Sequence, residues 1–179
     1  MTSTATHQGA IISAGVLLGT GLGGFVDGIL LHQILQWHNM LSSVHPPIDL
    51  VAMKYNMVWD GLFHAFTWVT VALGVWRLWV AGGRSDVPWS ARTLVGALFL
   101  GWGLFNLVEG TIDHHLLALH HVHPGQSQLA WDLGFLVLGA LQSAGGWALI
   151  RAGRRDRRPP GGGEWKAVTI GGDPRSAPG

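Results

Sequence analysis

The chain has no cysteine among its 179 residues. That excludes a disulfide framework, a cysteine-ligated zinc site and a thiolate nucleophile. Any bound metal must be held by imidazole, carboxylate, thioether or backbone oxygen. Charge is the second scarcity. Asp, Glu, Lys and Arg together make up 12% of the chain, about half the share usual in a soluble domain. The formal net charge is only +1, but its placement matters more than its sum: the basic residues that cluster near the C-terminus are read as a topology signal, and no nucleic-acid partner is expected. The first eight residues, MTSTATHQ, carry no Lys or Arg. They make a poor signal peptide, and the apolar segment that follows them is expected to be retained.

What fills the chain is apolar: 48% hydrophobic residues, ten Trp and 27 Gly. Four segments, about 9–37, 59–80, 93–119 and 131–150, each reach the roughly 20 residues that cross a hydrocarbon core. Their glycines are tolerable in membrane helices, where small residues let backbones approach closely. Trp37, Trp59 and Trp131 mark one interface, and Trp76, Trp79, Trp89 and Trp147 the other, as aromatic belts do. Arg77, Arg84 and Arg92 surround the loop between spans two and three. Arg151, Arg154, Arg155, Arg157, Arg158, Lys166 and Arg175 follow span four, leaving only Lys54 in the other two loops. This asymmetry predicts that both termini are cytoplasmic. Residues 1–8 then form a short cytoplasmic N-terminus, 9–150 the membrane domain, and 151–179 a basic, Gly/Pro-rich disordered tail lying on anionic lipid.

The ionisable residues are segregated. Every His except His7 falls in the outer half, and so do Asp27, Asp60, Glu109, Asp113 and Asp132. The sequence also repeats. At an offset of 82, "GTGLGGFVDGILLHQILQWH" overlies "GWGLFNLVEGTIDHHLLALH", pairing Asp27 with Glu109, His32 with His114 and His38 with His120. The following spans begin "WDGLFHAF" and "WDLGFLVL". Two helical hairpins of the same orientation result, and an axis along the membrane normal would relate them. The expected fold is all-α, an integral-membrane four-helix bundle with its polar residues near that axis. The halves differ where Asp113 replaces Leu31, His115 replaces Gln33, and His64 has Leu136 as its counterpart.

Asp60 and His64, four apart, share one helix face at about 6 Å, a spacing that suits two ligands of one metal. The competing reading is that Asp60 and Asp132 cap their spans after an interfacial Trp. Glu109 and Asp113 also share a face. On a continuous α-helix His114 points roughly 140° away from Glu109, and His120 lies about 16 Å further along. Facing helices would then have to build any site. A di-iron carboxylate centre is disfavoured because no Glu-x-x-His motif is present. Met53 and Met57 offer thioethers for Cu(I), but on a short interfacial helix their role is packing. Intramembrane carboxylates such as Asp27 and Glu109 are costly, by about 2.5 kcal/mol or more, and mark ion paths, paired sites or polar glue.

"GLGGFVDGILLHQILQWHNMLS", "WDGLFHAFTW", "GWGLFNLVEGTIDHHLLALHHV" and "WDLGFL" resemble the bacterial membrane proteins catalogued as domain of unknown function 2243. The resemblance covers about residues 9–150. Its matching positions are Asp27, His32, His38, Asp60, His64, Glu109, Asp113, His114, His115, His120, His121 and Asp132. It implies a four-span protein of the bacterial inner membrane, and an association of some relatives with respiratory oxidase assembly components.

The expected function is transition-metal binding near the extracytoplasmic face, for metal handling or a respiratory-chain-linked redox or assembly role. Copper or zinc is favoured, with iron or haem as alternatives. The expected ligands are His32, His64, His114, Asp27, Asp60, Glu109 and Asp113, directly or as acceptors orienting imidazoles. His38, His115, His120 and His121 are expected to form an access or second site. The rival readings are a haem cytochrome, a metal-dependent membrane enzyme, an oligomeric proton-coupled carrier and a structural membrane protein without metal.

Overall fold

The computed structural model describes residues 4–156, with side chains from residue 8 onward. Most of the expected basic tail, from residue 157, lies outside the described residues, as do residues 1–3. Among the described residues there are helices and no strands. Helix α1 runs Thr4–Val26 and continues as a π-helical segment, Asp27–Ile34. Helix α2 spans Leu50–Gly82. Helix α3 runs Ala91–Glu109 and continues as a second π-helical segment, Gly110–Leu116. Helix α4 spans Gln128–Gly153. Four stretches are long and apolar enough to cross a membrane: Gln8–Ile34, Leu50–Gly82, Ala91–Leu116 and Gln128–Gly153.

Helix boundaries depart from the sequence reading chiefly at α2, which starts nine residues before Trp59. Its N-cap is Asp49, whose carboxylate accepts the Ala52 N–H at 2.8 Å. Asp60 lies a full ten residues inside the helix, so the capping reading of its Trp-Asp pair fails. Ser90 caps α3 by accepting the Thr93 N–H at 3.2 Å. Met53 and Met57 stand on the first turns of α2 and are exposed.

Helices α1 and α3 cross in the middle, α2 lies on α1, and α4 lies on α3. The central crossing is made by backbone. A Cβ on Gly19 would strike the Leu98 backbone, and one on Gly101 would strike the Val16 backbone. Gly101 lies 82 positions after Gly19, and Leu98 lies 82 after Val16, so the contact occurs twice, once from each half. Gly96 and Gly146 bring α3 against α4 in the same way. Large apolar side chains such as Phe66, Trp68, Val137 and Leu141 face outward, where a membrane protein meets lipid rather than water.

The buried polar residues gather at the end of the fold that carries the α1–α2 and α3–α4 loops. Asp27, His32, His38, Asn56, Asp60, Glu109, His114, His120 and Asp132 are all buried there. At the opposite end the arginines lie beside tryptophans: Arg77 is 5.8 Å from the Trp76 ring centroid and Arg151 is 5.4 Å from that of Trp147.

Candidate metal centre

Two backbone departures make the polar cluster. Each central helix widens into a π-helix as it reaches its acidic residue. Leu35 N–H bonds back five residues to the Leu30 carbonyl at 2.8 Å, and Leu117 N–H does the same to Ile112 at 2.8 Å. In this winding, residues five apart fall nearly one above the other. His32 Nε2 consequently lies 3.2 Å from Asp27 Oδ2, and His114 Nε2 lies 3.0 Å from Glu109 Oε1. The 140° separation expected of an α-helix does not apply, and a single helix contributes both groups of each pair.

The second departure is a reversal. Gln36 and Ala118 adopt φ of 51° and 47°, the left-handed conformation that commonly ends helices but usually at glycine. Trp37 N–H then bonds the Leu31 carbonyl at 2.9 Å, and Leu119 N–H bonds that of Asp113 at 2.8 Å. The chain folds back over the helix end. His120 Nε2 therefore sits 3.0 Å from Glu109 Oε1, where a straight helix would have carried it far away. His38, 82 positions earlier, is turned inward by the same device and is 5% exposed.

Each inward imidazole has a fixed orientation. His38 Nδ1–H donates to the Val122 carbonyl at 2.9 Å, and His120 Nδ1–H donates to the Met40 carbonyl at 3.0 Å. Carbonyls only accept, so both rings carry their proton on Nδ1. These are the same contact made reciprocally, each half holding the other's histidine. His32 Nδ1 lies 3.1 Å from Asp60 Oδ1. Asp60 is itself held by the Met40 N–H at 2.8 Å and the Asn39 amide at 2.7 Å. Asp132 takes the corresponding position in the other half. It accepts the Val122 N–H at 3.0 Å and pairs with His121 Nδ1 at 2.7 Å, while His114 Nδ1 stands 3.6 Å away.

The outcome is a set of buried nitrogens that make no aligned hydrogen bond, although His32 Nε2 and His114 Nε2 each face a carboxylate. His32 Nε2, His38 Nε2 and both ring nitrogens of His114 make no hydrogen bond in the structure, and neither does Glu109 Oε2. Native interiors satisfy nearly all such atoms. Ring nitrogens of His32, His38 and His120 lie within 4.8 Å of one another, and donors from Glu109, His114 and His120 do likewise. The imidazoles crowd together: the His38 and His120 rings stack at a 4.5 Å centroid separation, and the His32 and His38 rings meet edge-on at 4.5 Å. His38, beyond the spans, is held far below its ordinary pKa, at about 2, by burial first and then by His120 and His32. Its imidazole is neutral throughout the physiological range.

A family assignment accords with this geometry. The chain belongs to the DUF2243 family of predicted membrane proteins, whose model matches residues 14–153. No curated protein and no solved structure matches it.

In this DUF2243 protein the residues singled out from sequence divide into three groups. His32, His114, Asp27 and Glu109 come together at the cluster, and His38 and His120 join them there rather than lying at a surface. Asp60 and His121 stand behind the cluster, Asp60 on a ring nitrogen and His121 on Asp132. His64, His115 and Asp113 lie outside both donor groups. His64 Nδ1–H is used within its own helix, on the Asp60 carbonyl at 2.7 Å. His115 is exposed, and Asp113 lines a groove between α2 and α3. Asp132 and Asn39 are the holding residues that ligand-type reasoning passed over. The repeated Trp-Asp pair carried the signal for Asp132, since Asp60 and Asp132 follow a Trp on the second helix of each half.

Proposed function

We propose that the chain is a membrane protein that holds one or two transition-metal ions at a buried centre built from His32, His38, His114 and His120. Asp27 and Glu109 serve as carboxylate ligands or charge partners, and Asp60 and Asp132 orient the imidazoles from behind. The observation that carries this reading is the set of Nε2 atoms. Acceptors pin the Nδ1 side of His32, His38 and His120, while the Nε2 atoms of His32, His38 and His114 are buried and make no hydrogen bond, those of His32 and His114 facing only the carboxylates of Asp27 and Glu109. Metal-bound imidazoles show this arrangement, with the second nitrogen on a carboxylate or carbonyl.

Four imidazoles and two carboxylates, with no thiolate and with Met53 and Met57 outside the cluster, suit zinc, Cu(II) or iron better than Cu(I). The distribution of basic residues supports a location of the cluster at the extracytoplasmic end of the inner membrane, with both termini cytoplasmic. A cavity of about 530 Å³ lined by Gln36, Asn39, Ser42, His38 and His121 lies at the loop end beside it and gives a polar approach to His38. The role that fits is metal handling, by capture from the outer aqueous side. The reciprocal contacts of His38 and His120 further support a two-fold relation between two repeated hairpins.

The test is the metal content of protein purified in mild detergent without a nickel column, with its visible spectrum. One or two equivalents are expected, lost in His120→Ala and kept in His64→Ala. A Soret band would replace this reading with a haem site. A metal-free protein that also fails to bind added zinc or copper would end it.

A further inference from the structure

The two donor groups of the cluster share one residue, and that sharing limits how they can be filled. His32, His38 and His120 form the first group, and Glu109, His114 and His120 the second, each with its donor atoms within 4.8 Å of one another. His120 offers only one nitrogen. Its Nδ1–H donates to the Met40 carbonyl at 3.0 Å, so its free lone pair is on Nε2, which lies 3.0 Å from Glu109 Oε1. An imidazole nitrogen has a single lone pair and binds one ion at a time. Bridging two ions would require loss of the Nδ1 proton, and the bare nitrogen would then confront the Met40 carbonyl. The two groups are therefore alternatives for one ion.

The repeat does not make the groups equal. His120 lies against the acid of its own half, Glu109, whereas His38 Nε2 makes no hydrogen bond among the described residues. The His38 ring instead meets those of His32 and His120, each at 4.5 Å. Charge does not separate the groups, because Asp27 stands 3.2 Å from His32 Nε2 as Glu109 stands 3.0 Å from His114 Nε2. The support behind each ring does. His32 Nδ1 bonds Asp60 at 3.1 Å, while His114 Nδ1 is 3.6 Å from Asp132 and makes no hydrogen bond. An imidazole held from behind typically binds metal about 10–100-fold more tightly. His38 also contributes to the wall of the polar cavity at the loop end, and neither Glu109 nor His114 does. The first group is both the better held and the nearer to that cavity.

We propose that the centre holds a single divalent ion that moves between two positions, with His120 as the ligand common to both. The proposal rests on the metal reading and adds a route to it. The ion rests on His32, His38 and His120. In the transfer its bonds to His32 Nε2 and His38 Nε2 break, bonds to Glu109 and a His114 ring nitrogen form, and its bond to His120 Nε2 persists. No electron is transferred, and the ion is never without a protein ligand. The centre thus passes the ion inward from the cavity side.

The test uses Cu(II) as the probe. Full-length protein in detergent is stripped with chelator, titrated with Cu(II) and desalted. Bound copper is then measured, and electron paramagnetic resonance counts the coordinated nitrogens. Wild type is expected to hold one equivalent on three nitrogens, and His114→Ala to do the same with an unchanged spectrum. His38→Ala is expected to hold one equivalent on two nitrogens, at least tenfold more weakly, with the ion in the second position. His120→Ala is expected to bind at least a hundredfold more weakly. Thermal melting checks the folding of each variant, and His120→Gln replaces His120→Ala if the latter does not fold. Two equivalents in wild type, or one tightly held equivalent in a folded His120 variant, would overturn the shared ligand and leave the metal reading standing. A spectrum changed by His114→Ala, or one unchanged by His38→Ala, would overturn the two positions. Failure of wild type to bind either copper or zinc would overturn the metal reading itself.

Discussion

Under the proposed metal reading, Asp60 is the residue whose replacement separates holding a metal from orienting its ligands. It is 1% exposed and receives three donors: the Met40 N–H at 2.8 Å, the Asn39 amide at 2.7 Å and His32 Nδ1 at 3.1 Å. In Asp60→Asn one carboxylate oxygen becomes an NH₂ that must face a donor. One buried donor is left without an acceptor, which costs about 1–3 kcal/mol of folding stability. His32 also loses the carboxylate that fixes its tautomer. Loss of such an outer partner typically weakens metal binding about 10–100-fold, or about 1.4–2.8 kcal/mol. Asp132→Asn is expected to have the smaller effect on metal, because His114 Nδ1 is 3.6 Å from its carboxylate. The assay is competition against a chelator of known affinity, run beside a thermal melt. Folded Asp60→Asn protein with unchanged metal affinity would refute the orienting role.

Gly101→Leu should prevent the α1–α3 crossing, since even a Cβ would strike the Val16 backbone; a large drop in thermal midpoint, or aggregation on gel filtration, is the expected result. Ala118→Val places a β-branched residue at φ 47° and is expected to destabilise by about 1–2 kcal/mol and to weaken metal binding by displacing His120, whereas Ala118→Gly retains both properties. Acid should destabilise the fold through His38: an unfolded imidazole takes up a proton below about pH 6.5, while the buried one resists until about pH 2. Stability from this group is therefore full above pH 6.5 and declines as pH falls. His38→Gln should flatten the melting profile between pH 7 and pH 4 relative to wild type; an unchanged slope would assign the acid response to the surrounding carboxylates and histidines instead.

Much of the fold was legible because membrane spans need long apolar stretches and the chain supplies four. The repeat was equally plain, since Asp27, His32 and His38 recur as Glu109, His114 and His120 at one offset. Helical arithmetic failed where the helix is not α. Ideal winding separates Glu109 from both His114 and His120, whereas the π-helical turn and the left-handed Ala118 bring both to 3.0 Å. Nothing local in "HHLLALH" announces that reversal, because left-handed turns are normally signalled by Gly or Asn. The usable signal was the pairing of His38 with His120 across the repeat, which a merely interfacial histidine would not require. Asp60 and His64 illustrate the opposite case: their four-residue spacing suggested two ligands of one ion, but His64 turns to the Asp60 backbone carbonyl instead.

The most direct test of the metal centre is X-ray absorption at the edge of the bound metal, in wild-type protein and in His38→Ala. The account predicts a shell of nitrogen and oxygen at about 2.0–2.2 Å, multiple scattering from several imidazoles, and fewer imidazoles in the variant. A sulfur shell at about 2.3 Å, or an imidazole count unchanged by His38→Ala, would contradict it.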